Sequence, residues 1–410
     1  MAGCLSLISM IPSARPAGVP QVTQQPGDFA TRAEAVAQVA GTFAAAVDRD
    51  SRFPSEAFDE IRSQKLLGIL VPEALGGEGA SPSDVIDICY RIAQGCGSAG
   101  LIYAMHQVKV ACIAPYTDGN ATLDTILRRL AKDQLLLASS TTEGLAGANI
   151  RESEAPIEYA GEHISLVRRA TCISYGQDAD GIVTTARRSD NSAPSDQVLA
   201  VFLKSSYTLE PSHSWDTLGM RGTRSEGFML RAMGVAENIV ATPYAKIHAQ
   251  SMVPSAHLFW GAVWAGIAAA AVSRAQAFIR SASRHSHGSF PPGAAHLTSA
   301  TASLHTLLGL LARAAREYER VIGDATALQS LDFQTMITLT KVEASELATS
   351  TVLRALRACG LAGYRNDSDF SIARHLRDVL SSPIMINNDR VLASLGAPTV
   401  MTPVPGFITR

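Results

Sequence analysis

The stretch that decides the fold is Trp215-Asp-Thr-Leu-Gly-Met-Arg-Gly-Thr-Arg-Ser225. It lies between a segment typical of β-strands and a segment typical of helices. Its two glycines allow backbone conformations that are closed to other residues, and its N–H groups can face an anionic ligand. Taken alone, the stretch predicts a polar loop with two glycine hinges that is able to approach a ligand.

The composition is that of an ordinary globular protein. A chain of 410 residues predicts two or three domains, and 47% hydrophobic residues with a net charge of −2 give no indication of nucleic acid or an acidic membrane surface. The six cysteines form no Cys-x-x-Cys pair, which is typical of a reduced, cytoplasmic protein. The longest apolar run, Leu258 to Val272, has 15 residues. Because a membrane span needs ~20, the run predicts a buried helix.

The order of helical and extended patterns predicts the domain organisation. Residues 1–28 hold four prolines, at positions 12, 16, 20 and 26, and predict a disordered tail. Residues 29–133 have helical patterns, residues 134–250 have β-type runs, and residues 251–410 return to helix. This order predicts an α+β fold with three domains. The individual elements predicted are helices at Ala57–Leu67, Asp84–Gln94 and Leu101–Ile113, strands at Leu135–Ala138, Gly181–Ala186, Val198–Leu203 and Val235–Val240, and helices at Ala256–Arg284, Thr298–Val321, Phe333–Cys359 and Ile372–Leu395.

Five stretches together resemble the acyl-CoA dehydrogenase superfamily. The loop at 215–225 is similar to its Leu-Gly-Met-Arg-Gly-Thr loop. The others are Phe53–Gly79, Thr142–Gly147, Cys172–Gly176, and Gly360–Tyr364 followed by Arg374–Asp378. The resemblance runs from about residue 30 to 395. It implies an N-terminal helical domain, a middle β-barrel, a C-terminal four-helix bundle and a bound FAD.

The resemblance also implies which residues hold the cofactor. Thr142 and Ser174 fall at positions that supply hydroxyl groups to the flavin, and Cys172 replaces a tryptophan that covers the ring. Arg284 matches an arginine that reaches the FAD pyrophosphate across a subunit boundary, a contact that its permanent charge suits. The full set of expected cofactor residues is Thr142, Ala148, Cys172, Ser174, Arg284, Arg357, Gly360 and Asn388.

The base that the family uses is missing from its expected position. Removing an α-proton from an acyl thioester requires a base within hydrogen-bond reach. The family commonly places a Glu nine residues after the arginine that matches Arg377, and Ile386 occupies that position. A second family position falls at about Ala256, which is again no acid. Asp389 is one candidate replacement, with a helix cap or an ion pair as its structural alternative. His257 and His106 are two more, with a structural role as the alternative for each.

Three functions follow from these expectations. The first is FAD-dependent α,β-dehydrogenation of an acyl thioester, CoA-bound or carrier-bound, with an electron acceptor flavoprotein. The second is a flavin-dependent monooxygenase served by a separate flavin reductase, which the missing Glu favours. The third is a non-catalytic subunit that pairs with an active homologue. The resemblance implies a homotetramer or homodimer, and the spacing of the histidines and cysteines predicts no metal site.

Overall fold

A computed structural model of the chain describes residues 29–143, 151–285 and 289–404. The predicted tail and Ala148 lie outside the described residues. The described part is a helical N-terminal region, a middle region of two sheets and a helical C-terminal region, which confirms the predicted fold class.

The N-terminal region contains one almost completely buried helix, which packs against the helix before it and against the long central helix of the C-terminal region. That helix, α4, has 15 of its 17 residues buried, so its side chains have almost no solvent-facing direction. A Ser81–Asp84 capping box fixes the start of the preceding helix, because each side chain accepts a hydrogen bond from the other residue's N–H group. The helices are α1 (Phe29–Asp50), α2 (Ser55–Ser63), α3 (Pro82–Gly95), α4 (Gly97–Ile113) and α5 (Ala121–Asp133).

The middle region contains two four-stranded sheets. One has the strand order β1-β4-β5-β8, with β1 parallel to β4, and the other is antiparallel with the order β2-β3-β7-β6. The strands are β1 (Leu137–Ser140), β2 (Glu158–Ala160), β3 (His163–Ile173), β4 (Gly181–Arg187), β5 (Gln197–Leu203), β6 (Tyr207–His213), β7 (Glu226–Val235) and β8 (Ile239–Val240).

The strand predicted at Val235–Val240 was wrong in its bounds. Val235 ends the long strand β7, a turn follows, and only two residues of the predicted run pair with β5. The sequence of β7 carries glycines at 227 and 234 that weaken a strand pattern. Its pairing with β3 on one side and β6 on the other overrides that local weakness.

The C-terminal region is a bundle built on three long helices. A π-helical turn at His248–Met252 joins the first short helix to the long helix α7. The helices are α6 (Tyr244–Ile247), α7 (Val253–His285), α8 (Ala294–Val321), α9 (Ala325–Gln329), α10 (Leu331–Cys359), α11 (Leu361–Tyr364), α12 (Ala373–Val379) and α13 (Asn388–Met401). The predicted single helix Ile372–Leu395 is two helices, α12 and α13, separated by a turn at residues 380–387 in which Ile386 has φ 50°, outside the helical region.

The helical stretch Tyr244–His285 is the centre of the molecule. With 42 residues, this stretch is long and apolar enough to cross a membrane, but 94% of its most apolar 18-residue segment is buried inside the protein. At Gly266 a Cβ would lie 2.4 Å from the carbonyl oxygen of Tyr90, so only glycine allows α3 to approach this closely. The burial is that of a core helix.

Candidate functional site

A cavity of about 530 Å³ lies where the N-terminal helices, the sheets and the C-terminal helices meet. That volume is in the range of small-molecule sites. Helix α4 contributes Leu101, Met105, Val108 and Lys109, and α7 with its preceding turn contributes Trp260 and Met252. The sheet region and the motif loop contribute Ser139, Thr141, Thr142, Cys172, Ser174, Trp215, Thr217, Leu218, Gly219, Met220, Thr223 and Ser225, and the segment beyond Asp378 contributes Leu380, Ser381, Ile384, Met385 and Ile386.

The motif loop at 215–225 is fixed by the short helix α12. The N–H group of Met220 donates to Asp378 Oδ1 over 2.7 Å. A Cβ at Gly219 would lie 2.1 Å from the carbonyl oxygen of Arg377, so the loop can pack here only as glycine. The indole N–H group of Trp215 donates to the carbonyl of Met220 over 3.1 Å. The sequence motif therefore marks a loop that is held against the C-terminal region.

Arg377 and Asp378 of α12 join three regions of the chain. The Arg377 guanidinium pairs with the Asp48 carboxylate at the end of α1 and donates to the carbonyl of Leu218. Burial raises the pKa of Asp378 to about 6, while the N–H group of Met220 acts in the opposite direction. Because α1, the loop and α12 are tied together, this side of the cavity has a fixed shape.

A row of hydroxyl groups lies along the sheet side of the cavity. Ser174 Oγ is 2.7 Å from Ser225 Oγ, which is 2.8 Å from Thr223 Oγ1. Thr142 and Cys172 line the same cavity, and burial raises the pKa of the Cys172 thiol. The structure thus brings together the predicted residues Thr142, Cys172 and Ser174. Hydroxyl groups beside apolar side chains fit a flavin ring, which has a polar edge and an apolar face.

The residues expected at the far half of FAD lie elsewhere. Arg284 and Arg357 are exposed near the ends of α7 and α10, and neither lines the cavity. Gly360 is also exposed, with φ 54° and open space where a Cβ would be. Gly293, just before α8, packs on the backbone of Ala358, so the start of α8 and the end of α10 meet. These residues can hold an anionic group only outside the cavity.

Asn388 and Asp389 do not reach the cavity. The Asn388 amide donates to Ser345 Oγ and Glu346 Oε1 and accepts from Lys341 Nζ, so the interior of the bundle satisfies it. Asp389 is exposed in the first turn of α13. The expected flavin contact and the expected base are therefore placed elsewhere by the structure, because the turn before α13 directs both side chains away from the cavity.

Ile386 lines the cavity at the position where the family commonly has a Glu. Its left-handed backbone, φ 50°, costs about 1–2 kcal/mol for a residue with a Cβ. The Lys341 ammonium donates to its carbonyl oxygen over 2.7 Å and holds this conformation. None of the described residues that line the cavity is an aspartate or a glutamate.

The two candidate histidines have structural partners. His106 bonds to the carbonyl of Leu67 through Nε2 and accepts the N–H group of Leu137 at Nδ1, and burial lowers its pKa to about 4. His257 lies 3.2 Å from the carbonyl of Ile337, and burial lowers its pKa to about 3. Neither is among the described cavity residues. The described ranges also hold no group of three His, Cys, Asp or Glu residues suited to a metal ion.

Lys109 lines the cavity but was not among the site residues predicted from the sequence. Its side chain is 1% exposed, and its Nζ lies 3.5 Å from the sulfur of Met252. Burial lowers its pKa. A signal was present in the sequence, because Lys109 is the only Asp, Glu, Lys or Arg in the apolar segment Gly97–Ile113. A lone charge in a helix without a polar face indicates either a buried partner or a ligand.

Two family models match the chain. The one described as "Acyl-CoA dehydrogenase, N-terminal domain" matches residues 29–132, and the one described as "Acyl-CoA dehydrogenase, C-terminal domain" matches residues 258–382. Their order is that of the first and third regions of the structure. Together they cover more than half of the 410 residues.

The chain is similar to proteins with different reactions. It is 26% identical to the isovaleryl-CoA dehydrogenase of Pongo abelii over 44% of this chain and 43% of that one. It is 25% identical to the amino sugar nitrososynthase of Streptomyces peucetius over 82% of this chain and 84% of that one. The FMN-bound dibenzothiophene monooxygenase of Paenibacillus sp. A11-2 has the same fold, with a TM-score of 0.81 and 19% identity over 92% of this chain and 99% of that one.

Proposed function

The chain belongs to the acyl-CoA dehydrogenase family of flavoproteins, and from that premise we propose that it is a flavin-dependent monooxygenase. One observation carries the proposal. The described cavity residues include no carboxylate, and Ile386 occupies the position of the family's common base. A dehydrogenase must remove an α-proton, whereas an oxygenating enzyme does not need a carboxylate at that point.

The residues of the cavity suit the needs of such a reaction. Reduced flavin, when bound, supplies two electrons with their protons, so that one atom of dioxygen enters the substrate and the other leaves as water. The hydroxyl row at Thr142 and Ser174 would hold the polar edge of the flavin. Apolar side chains from α4 and α7 would exclude water and orient the substrate.

The finer assignments are part of the proposal. FAD is the cofactor predicted from the sequence, and FMN is the one bound in the Paenibacillus structure, so both flavins belong in the test. A flavin reductase is the expected partner, because the substrate gives its two electrons to the inserted oxygen and does not reduce the flavin. Cytoplasmic location and assembly as a homodimer or homotetramer stay predictions.

The experiment is an oxygen-transfer assay. The purified protein receives reduced FMN or FAD from an added flavin reductase and NADH, together with ¹⁸O₂ and a panel of aromatic compounds. Indole is the first probe, since it is bound in a structure of the Paenibacillus relative. We expect one labelled oxygen atom in a product, with no product when the reductase or the protein is omitted. Equal product from free flavin alone would contradict the proposal.

A second candidate function is the α,β-dehydrogenation predicted from the sequence. Lys109 favours it, because a buried amine with a lowered pKa can accept a proton. Reduction of the bound flavin by an acyl-CoA under anaerobic conditions, with formation of the enoyl-CoA, would support this function over the first.

A further inference from the structure

Lys109 is a buried cation without an anionic partner in the part of the chain that the structure describes. Its Nζ contacts the thioether of Met252, which is a weak acceptor, over 3.5 Å. No ion pair with a carboxylate is present for it in the described ranges. An isolated buried ammonium costs several kcal/mol, so it either loses its proton or gains a partner.

The groups around Lys109 cannot supply a charge. Cys112, three residues further along the same helix, interacts electrostatically with Lys109, and burial raises the pKa of that thiol to about 11. His248, on the turn before α7, is buried and its pKa is lowered to about 4, so it is neutral at pH 7. Tyr244, on α6, has a pKa raised by burial and is neutral too. The positive charges of Arg151 and Lys109 lower the pKa of His248 further, because a like charge disfavours the protonated imidazole.

The other cation in the cavity lining already has a partner. Arg377 pairs with the Asp48 carboxylate and donates to a backbone carbonyl. Lys109 is therefore the one charged group among the described cavity residues that no described anion balances. An anionic ligand bound in the cavity could be the partner that Lys109 lacks.

The other residues that line the cavity indicate the chemistry of the rest of the ligand. Four methionines, Met105, Met220, Met252 and Met385, line the cavity together with Trp215 and Trp260. Thioether sulfur makes favourable contacts with aromatic rings, and indole rings stack on them. The flavin ring proposed to lie against Thr142 and Ser174 would share the cavity of about 530 Å³ with the substrate, which limits the substrate to a small ring system.

We propose that Lys109 binds an acidic oxygen of the substrate, and that the substrate is an aromatic carboxylate or phenol. This inference rests on the proposed function in taking the cavity as the substrate site. Lys109 would orient the ring by pairing with the anion at one end, while the methionines and tryptophans hold the apolar body. With a phenol, the ammonium would also favour the ionised form of the hydroxyl group.

The test is a set of binding measurements by calorimetry on the full-length protein saturated with oxidised flavin. Two matched pairs of probes are used: 2-naphthoate against 2-naphthamide, and 2-naphthol against 2-methoxynaphthalene. The first pair reports on a carboxylate and the second on a phenol. The variants are Lys109→Met, which keeps the length without the charge, and Lys109→Arg, which keeps the charge. Lys132→Met is the control, because Lys132 is an exposed lysine in the last turn of α5.

For at least one pair we expect the wild type to bind the acid roughly tenfold or more tightly than its neutral analogue, since hydrogen bonds to charged groups have that strength. Lys109→Met should lose this preference, while Lys109→Arg keeps much of it and Lys132→Met keeps all of it. A preference that survives in Lys109→Met overturns the inference. So does a wild type that binds both acids no better than their neutral analogues, or binds neither acid.

These measurements use no reduced flavin and no oxygen. Anaerobic reduction of the flavin by an acyl-CoA would therefore end the monooxygenase proposal while leaving the affinities interpretable. A loss of acid preference with intact oxygen transfer would end only the role of Lys109.

Discussion

The two buried lysines in the described part of the chain have opposite surroundings. Lys341, in the C-terminal bundle, donates to the carbonyl of Ile386 and to Asn388 Oδ1, and its ammonium lies 5.7 Å from the Trp264 ring. Lys109, on the α4 side of the cavity, has one hydrogen-bond partner among the described residues, the sulfur of Met252. The fold itself satisfies the first lysine and leaves the second one unsatisfied. A buried charge that the fold does not satisfy points to a ligand, whereas a satisfied one points to architecture.

The largest expected difference is in stability. Lys341→Met should lower the free energy of unfolding by about 2–5 kcal/mol, because two buried oxygen acceptors lose their donor and the turn at Ile386 loses its support. Lys109→Met should cause no loss, since it replaces an unbalanced charge with an apolar side chain. Urea unfolding of both variants checks the comparison. Equal losses for both would show that Lys109 is structural.

The buried carboxyl of Asp378 gives a pH-dependent effect of similar size. Its pKa in the folded state is raised from 3.8 to about 6, so its contribution to stability is present below about pH 4 and is lost as the pH rises through 6. A pKa difference of about two corresponds to ~3 kcal/mol. Relative to Asp378→Asn, the wild type should therefore lose up to ~3 kcal/mol between pH 4 and pH 7.

The comparison with Asp378→Asn also removes the effect of the buried histidines. His106 and His257 have lowered pKa values, so their contribution has the opposite sign: stability is lost as the pH falls below about 6.5. Both proteins contain these histidines, so the difference between them isolates the carboxyl group. Parallel stability curves for the two proteins would show that Asp378 does not titrate in this range.

A smaller effect is expected when a carboxylate is put into the cavity. Ile386→Glu should weaken the binding of 2-naphthoate by about threefold or more, because like charges then share the site. Ile386→Gln is the matched control of the same size without the charge. If the two variants bind 2-naphthoate equally, position 386 does not face the anion.

The smallest effect is expected at Asp389. Because this residue is exposed and does not line the cavity, Asp389→Asn should change the free energy of unfolding by less than about 1 kcal/mol. Oxygen transfer to indole should be unchanged. A loss of turnover in a folded Asp389→Asn protein would return this residue to its predicted role as the base.

The fold was predictable because its signals are local. The motif at 215–225 needs glycine at position 219, because this residue packs on the backbone of Arg377. A close approach of this kind can be predicted from the sequence, since it requires a glycine. Thr142, Cys172 and Ser174 were placed at the cavity from short motifs in the same way. Five of the long helices and the strands β1, β4 and β5 followed from periodicity, whereas β2, β3, β6 and β7 were not predicted. Strand β7 depends on two neighbouring strands that no local pattern reveals.

The centre of the site was less predictable because side-chain direction depends on a single turn. Counting residues from Arg377 reaches Ile386 correctly, but the left-handed backbone there sends Asn388 into the bundle and Asp389 to the surface. Lys109 was missed although its isolation in an apolar segment was a signal of burial, because the pattern does not show which surroundings the side chain meets. The packing of α4 and the cavity beside it show this.

The central claim is that the described cavity lining holds no carboxylate to remove an α-proton, so that acyl thioesters do not reduce the flavin, and one measurement tests it most directly. The visible spectrum of the flavin-loaded protein is recorded under anaerobic conditions while butyryl-CoA, isovaleryl-CoA and longer acyl-CoAs are added. The account predicts that the flavin stays oxidised with every thioester. Bleaching of the flavin with formation of an enoyl-CoA would contradict it.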